Sequence, residues 1–244
     1  MITRLTLALV VGGLLLLGSA QATQIVSFTE VNGGNDFTLT NNGTSDSLTA
    51  SSLINVTLYS ANGIANGTIY QATLTVTGDS STTSGQVFAG SSLIQTQYQN
   101  GSFTILLTTG PYSGQTLLSG TFGMNGANNS LLSGQNYGSS ATLSSSDGPS
   151  NYTEVVFSTT FWNIATPAQG GINALAFSMS NLSNYLTLAG PGGTSGLVNS
   201  FTAVGTGTFS ATLQSNPVPE PGTLSLLGSA LVGLGLLGRK RIRR

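Results

Sequence analysis

Along the middle of this 244-residue chain, apolar side chains return at every second position, and that rhythm restricts the fold more than any other feature. Tyr70, Ala72, Leu74 and Val76 alternate with Gln71, Thr73, Thr75 and Thr77. Ile54, Val56 and Leu58 do so with Asn55 and Thr57, and Phe209, Ala211 and Leu213 with Ser210 and Thr212. Leu175, Phe177 and Met179 have small or polar neighbours. A period of two turns one face to a core and the other to water. Further candidate strands are 25–31, 102–108, 116–122, 152–162 and 197–204. Turn chemistry separates them at Asn32-Gly33-Gly34-Asn35, Asn62-Gly63, Gly78-Asp79-Ser80, Asp147-Gly148-Pro149 and Gly190-Pro191-Gly192-Gly193. No 3.6-residue period appears in the middle. The pattern predicts an all-β domain, a β-sandwich with a jelly-roll-like layout. A β-solenoid is the alternative, but no repeat of fixed length supports it.

Charge is scarce, 5% of residues against roughly 25% in ordinary soluble proteins. All six basic residues lie at the ends: Arg4, Arg239, Lys240, Arg241, Arg243 and Arg244. Between Leu5 and Gly238 there is no Lys or Arg, and the chain has no His. Of the seven acidic residues only Glu220 lies in the tail, so a domain stripped of both ends carries six acids and no basic side chain. Binding a phosphate backbone requires cations, which excludes nucleic acid as a partner. Without internal salt bridges, folding rests on burial and hydrogen bonds. Without Lys, edge strands lack their usual protection against pairing with another chain. Cys is absent too, so an exported domain of this size depends on its core rather than on disulfides.

The N-terminus has the three parts of a signal peptide: Arg4, an apolar stretch from Leu5 to Leu17, and the small-residue site Ala20-Gln21-Ala22. The stretch would span roughly 20 Å as a helix, short of the ~30 Å hydrocarbon core of a bilayer. Signal peptidase and the export machinery are the expected partners, with cleavage after Ala22 and Ala20 as the second choice. The C-terminus also has three parts. Val218-Pro219-Glu220-Pro221 is extended because each Pro fixes its own φ and restricts the residue before it. Thr223–Gly238 is an uncharged apolar run that predicts a single transmembrane helix, and Arg239–Arg244 is a basic cluster expected to stay cytoplasmic. The expected organisation is a signal peptide over 1–22, a secreted domain over 23–216, and a C-terminal signal over 217–244.

This order of Pro-Glu-Pro, short apolar helix and terminal basic cluster closely resembles the PEP-CTERM sorting signal of Gram-negative and other environmental bacteria. The resemblance covers about a ninth of the chain. It implies recognition by an exosortase, a membrane-embedded cysteine transpeptidase that cuts at or near Pro219-Glu220-Pro221. It also implies transient residence in the inner membrane through the C-terminal helix, then display at the cell surface or release. Members of the family are commonly tied to exopolysaccharide or biofilm production.

The domain between the signals is poor in catalytic residue types. A Ser-His-Asp triad needs His, a Ser-Lys dyad needs Lys, and ordinary zinc sites need His or Cys. Paired carboxylates could hydrolyse glycosides, and Glu154 is the acid that falls within a strand pattern, although a solvated outer face accounts for it as well. No catalytic residue and no bound cofactor is expected. Calcium is the one metal weighed, through Asn32, Asn35 and Asp36 in a Gly-bent loop. Sugar binding is the competing function. Trp162, the single Trp, is its candidate contact, and Tyr59, Tyr98, Tyr112, Tyr137 and Tyr185 are scattered. A core or rim aromatic is the alternative for Trp162. The leading reading is a structural or adhesive protein of the cell surface or extracellular matrix, and the second is a module that retains polysaccharide there.

Overall fold

Alternate inward and outward side chains run through almost every strand of the computed structural model, which describes residues 22–34, 36–80, 86–87, 93–123, 130–147, 155–166, 169–189 and 196–214. The strands are β1 (Thr23–Glu30), β2 (Phe37–Asn41), β3 (Asp46–Leu58), β4 (Thr68–Ser80), β5 (Gln86–Val87) and β6 (Leu93–Leu107). They continue as β7 (Thr116–Phe122), β8 (Leu131–Gln135), β9 (Ser140–Ser146), β10 (Val155–Ser158), β11 (Asn173–Ser180) and β12 (Phe201–Ala211). No α-helix occurs among the described residues, and no helix there is long and apolar enough to cross a membrane.

Four pairs of these strands lie end to end. β1 and β2 both run between β3 and β12, while β4 and β5 share one edge of β6. β7 and β8 share the other edge of β6, and β9 and β10 continue the order beyond them. With β3, β6, β11 and β12 this makes eight antiparallel lines, each paired with the next in sequence, and β12 returns to pair with β1. The result is an up-and-down barrel. A jelly roll needs Greek-key crossovers, and none is present among these pairings. The all-β expectation holds, and the jelly-roll layout is corrected to a closed meander. Closure also answers the edge problem raised by the lack of Lys, because a ring leaves no long open edge.

The barrel is filled. Phe28, Phe37, Phe122, Phe177 and Phe209 are among its largest fully buried side chains. Phe103 on β6 and Phe209 on β12 meet across the ring with centroids 4.7 Å apart. Burying one such ring contributes ~1.5–3 kcal/mol. Space for the rings comes from inward glycines. Gly207 stands opposite Phe28 on one side and Phe177 on the other, and Gly120 stands between Phe103 and Phe157. A Cβ at Gly207 would lie 2.3 Å from the Phe28 ring and 2.8 Å from Ala176 O. Gly207→Ala is therefore expected to lose ~1–3 kcal/mol by overpacking. Urea unfolding measures this directly, and a loss below about 0.5 kcal/mol would show that the core is looser than described.

Strand limits differ from the sequence expectation where glycine is involved. Gly78-Asp79-Ser80 is not a turn but the end of β4, with Gly78 opposite Gly101. The separate candidates 197–204 and 209–213 are largely one strand, β12, running through Gly205 and Gly207. Within the candidate 152–162, β10 ends at Ser158 and Trp162 lies beyond that end. Strands β2, β5, β8 and β9 are absent from the sequence expectation; SATLSSS over β9 is mostly Ser, and LLSGQ over β8 offers only a short apolar pair before Ser and Gly. The chain divides into two compact units, Met1–Leu213 and Gln214–Arg244. The signal peptide with Ala20, the Pro219–Pro221 motif, the expected helix 223–238 and the Arg239–Arg244 cluster lie outside the described residues, while Ala22 directly precedes β1.

Candidate functional site

The meander gathers its loops at two mouths. One mouth holds the start of β1, the start of β11 and the ends of β3, β7's partner β10 and β12. Phe161 and Trp162 close it. The Trp162 indole N–H donates to Tyr59 O at 2.7 Å, Phe161 lies 6.2 Å from it by ring centroids, and Tyr112 meets Phe161 edge-on at 5.3 Å. Only 4% of Trp162 is exposed. A stacking face for sugar must be open, and the buried Trp162 has the place of the core or rim aromatic weighed against a sugar contact in the sequence.

The opposite mouth is covered by the described parts of the connection from β11 to β12, residues 181–189 and 196–200. Its Leu186, Leu188 and Val198 are buried, and Leu188 and Val198 form an antiparallel bridge. Asp46, at the start of β3, fastens this cover. Its Oδ2 accepts from Val198 N at 2.9 Å, and its own N–H donates to Ser80 Oγ at 2.9 Å. Asp46 is fully buried, and its Oδ1 has no hydrogen-bond partner. Burial pushes the carboxyl up to about 6, against the opposing effect of the Val198 N–H.

Beside this cover lies a cleft of about 540 Å³ lined by Ser139, Asn181, Leu182, Ser183, Asn184 and Tyr185. Its walls are tied to each other through the backbone. Tyr137 N donates to Leu186 O at 2.8 Å, Leu186 N to Gly138 O at 2.9 Å, and Leu182 N to Ser139 O at 3.1 Å. Ser183 exchanges two bonds with Thr202, and the Asn184 amide donates to Ser200 O at 2.9 Å. Tyr137 and Tyr185 are 66% and 65% exposed, whereas Tyr59, Tyr70 and Tyr112 are partly buried. Both open rings were named in the sequence, but nothing in their flanking residues separated them from the covered ones.

Two further acids, Asp147 and Glu30, hold backbone. Asp147 accepts from Val155 N and Asn173 N at 2.9 and 3.0 Å, tying β9, β10 and β11. Between β1 and β2 the chain loops outward, and Glu30 Oε1 fills the gap by accepting from Gly205 N at 2.6 Å. Burial raises the Glu30 carboxyl, the Gly205 N–H opposes this, and the nearby Asp36 charge raises it further. Asn32 in the same loop is exposed, while Asn35, like Glu154, lies outside the described residues. Among the described residues no three His, Cys, Asp or Glu side chains come together as metal ligands.

The described domain and its appended tail define a class, an all-β barrel joined to a C-terminal address. Residues 217–244 match the PEP-CTERM protein-sorting motif, so the address is that of an exosortase substrate. The motif implies exosortase processing, export, and sorting to the cell surface or beyond it. No curated protein and no solved structure matches the chain.

Proposed function

We propose that this chain is a non-enzymatic structural or adhesive protein of the cell surface or extracellular matrix, delivered there by exosortase after removal of residues 1–22. The PEP-CTERM match at 217–244 carries this reading. The domain supports it in two ways. Its acids with resolved contacts, Asp46, Asp147 and Glu30, are engaged with backbone N–H groups, and its closed ring suits a domain that must persist without disulfides. The apolar segment 223–238 serves as a transient helix in the inner membrane until the cut at Pro219-Glu220-Pro221. Intact mass of the protein recovered from its native cells tests this. The expected species begins after Ala22 and lacks Arg239–Arg244, and a mature population that keeps the basic cluster overturns the sorting reading.

A second reading, a module that retains polysaccharide in that matrix, is favoured by one observation, the pair of open tyrosines beside the polar cleft.

A further inference from the structure

We infer that the cleft beside Tyr137 and Tyr185 is a binding site for a neutral polysaccharide, an inference that rests on the surface-protein reading above and gives that protein its ligand class. Three observations carry it. The first is where the rings stand. Neither tyrosine serves the core, since about two thirds of each is exposed at 66% and 65%. Tyr137 also adopts φ 61°, a left-handed conformation that bulky side chains avoid at a cost of roughly 1–2 kcal/mol. Turn chemistry would place Gly or Asn at that position, and packing does not account for a ring there. Backbone held in such regions gathers at ligand sites.

The second observation is the chemistry of the lining. Ser139, Asn181 and the uncommitted hydrogen-bonding capacity of Ser183 and Asn184 provide hydroxyl and amide groups, and the exposed Tyr185 provides apolar surface. A pyranose presents the same two kinds of surface, a rim of hydroxyls and a face of C–H groups that packs on an aromatic ring. Tyr supplies such a face at small entropy cost, and a volume of about 540 Å³ suits a few sugar units. The bonds from Tyr137 N to Leu186 O and from Leu186 N to Gly138 O hold the two ring-bearing segments together before any ligand arrives.

The third observation selects against charge. Neither the lining nor the two tyrosines carries a charge, and no Lys, Arg or His lies between Leu5 and Gly238. An anionic polysaccharide would meet an acidic domain with no cation to pair with, so the ligand is neutral.

The test is affinity electrophoresis of the mature protein from its native cells in gels containing dextran, a β-1,3-glucan, a β-1,4-glucan, a galactomannan or, as the anionic comparison, polygalacturonate. At least one neutral polymer is expected to retard the protein. Tyr185→Ser and Tyr137→Asn are each expected to weaken that retardation about tenfold, and the double variant to abolish it. Asn accepts the left-handed backbone, and thermal unfolding of each variant verifies that the barrel is intact. Polygalacturonate is expected to bind at least tenfold more weakly than the best neutral polymer. The inference is overturned if no neutral polymer retards the protein, if retardation survives in a folded double variant, or if the anionic polymer binds best. Correct processing by intact mass with no retardation leaves the surface reading standing and removes this one. Retained tails with retardation do the reverse.

Discussion

Asp147→Ala is expected to destabilise the barrel by on the order of 4 kcal/mol, because two buried backbone N–H groups lose their acceptors at ~1–3 kcal/mol each. The site is where the ring is held by side chains rather than by a ladder. Among the described residues β10 and β11 share no strand pairing. In its place Asp147 Oδ1 accepts from Val155 N, Asp147 Oδ2 from Asn173 N, and the Asn173 amide donates to Val155 O at 3.0 Å. Asp147 and Asn173 are 5% and 7% exposed, so water does not readily replace the missing acceptor. Asp147→Asn keeps one acceptor oxygen and is expected to lose about half as much. Urea unfolding at equal m-value gives the comparison. A loss under about 1 kcal/mol for the Ala variant would mean that β10 and β11 are not joined through this carboxylate.

Acid is expected to stabilise this protein. The Asp46 carboxyl stands at about 6 in the fold against 3.8 for an ordinary Asp, with burial as the main cause. Between those values the folded chain keeps a proton that the unfolded chain has released, so stability falls as pH rises. The stabilisation is fully present below the unfolded value and is lost as pH passes through about 6. At ~1.4 kcal/mol per pH unit the difference between pH 3.5 and pH 7.5 is on the order of 3 kcal/mol. Glu30, also raised by burial, acts in the same direction. The domain has no Lys, Arg or His whose ion pairs acid would break. Asp46→Asn copies the neutral form and is expected to flatten most of the pH dependence while raising stability at pH 7.5. A wild-type protein that loses stability on going from pH 7 to pH 5 would refute the account.

The alternation in β3, β4 and β11 was legible because a period of two is a local property of the backbone and of each side chain's polarity. The same local signal failed where a strand passes a phenyl ring. Gly78 reads as a turn in sequence, and Gly101, Gly205 and Gly207 lie just outside the candidate strands, yet all four lie within strands. A Cβ at Gly101 would stand 2.1 Å from Phe122, and one at Gly205 2.1 Å from Phe37. The reason for these glycines lies on a neighbouring strand and is invisible to a window along the chain. The candidate site was half legible. Its tyrosines and amides could be counted, but their exposure depends on which mouth of the barrel receives them.

By itself the sequence determined that the domain is all-β, that it lacks cations and thiols, and that its tail is a sorting address. Those follow from composition, from spacing of two residues, and from a short linear motif read by another protein. Tertiary structure alone decided that the strands close into a ring, that Trp162 seals one mouth, and that Tyr137 and Tyr185 stand open beside the other. Those outcomes depend on contacts such as Trp162 with Tyr59 and Asp46 with Val198, separated by 103 and 152 residues. Loop-closure entropy opposes such contacts until the hydrophobic core assembles around them, so local pattern does not encode which of them form.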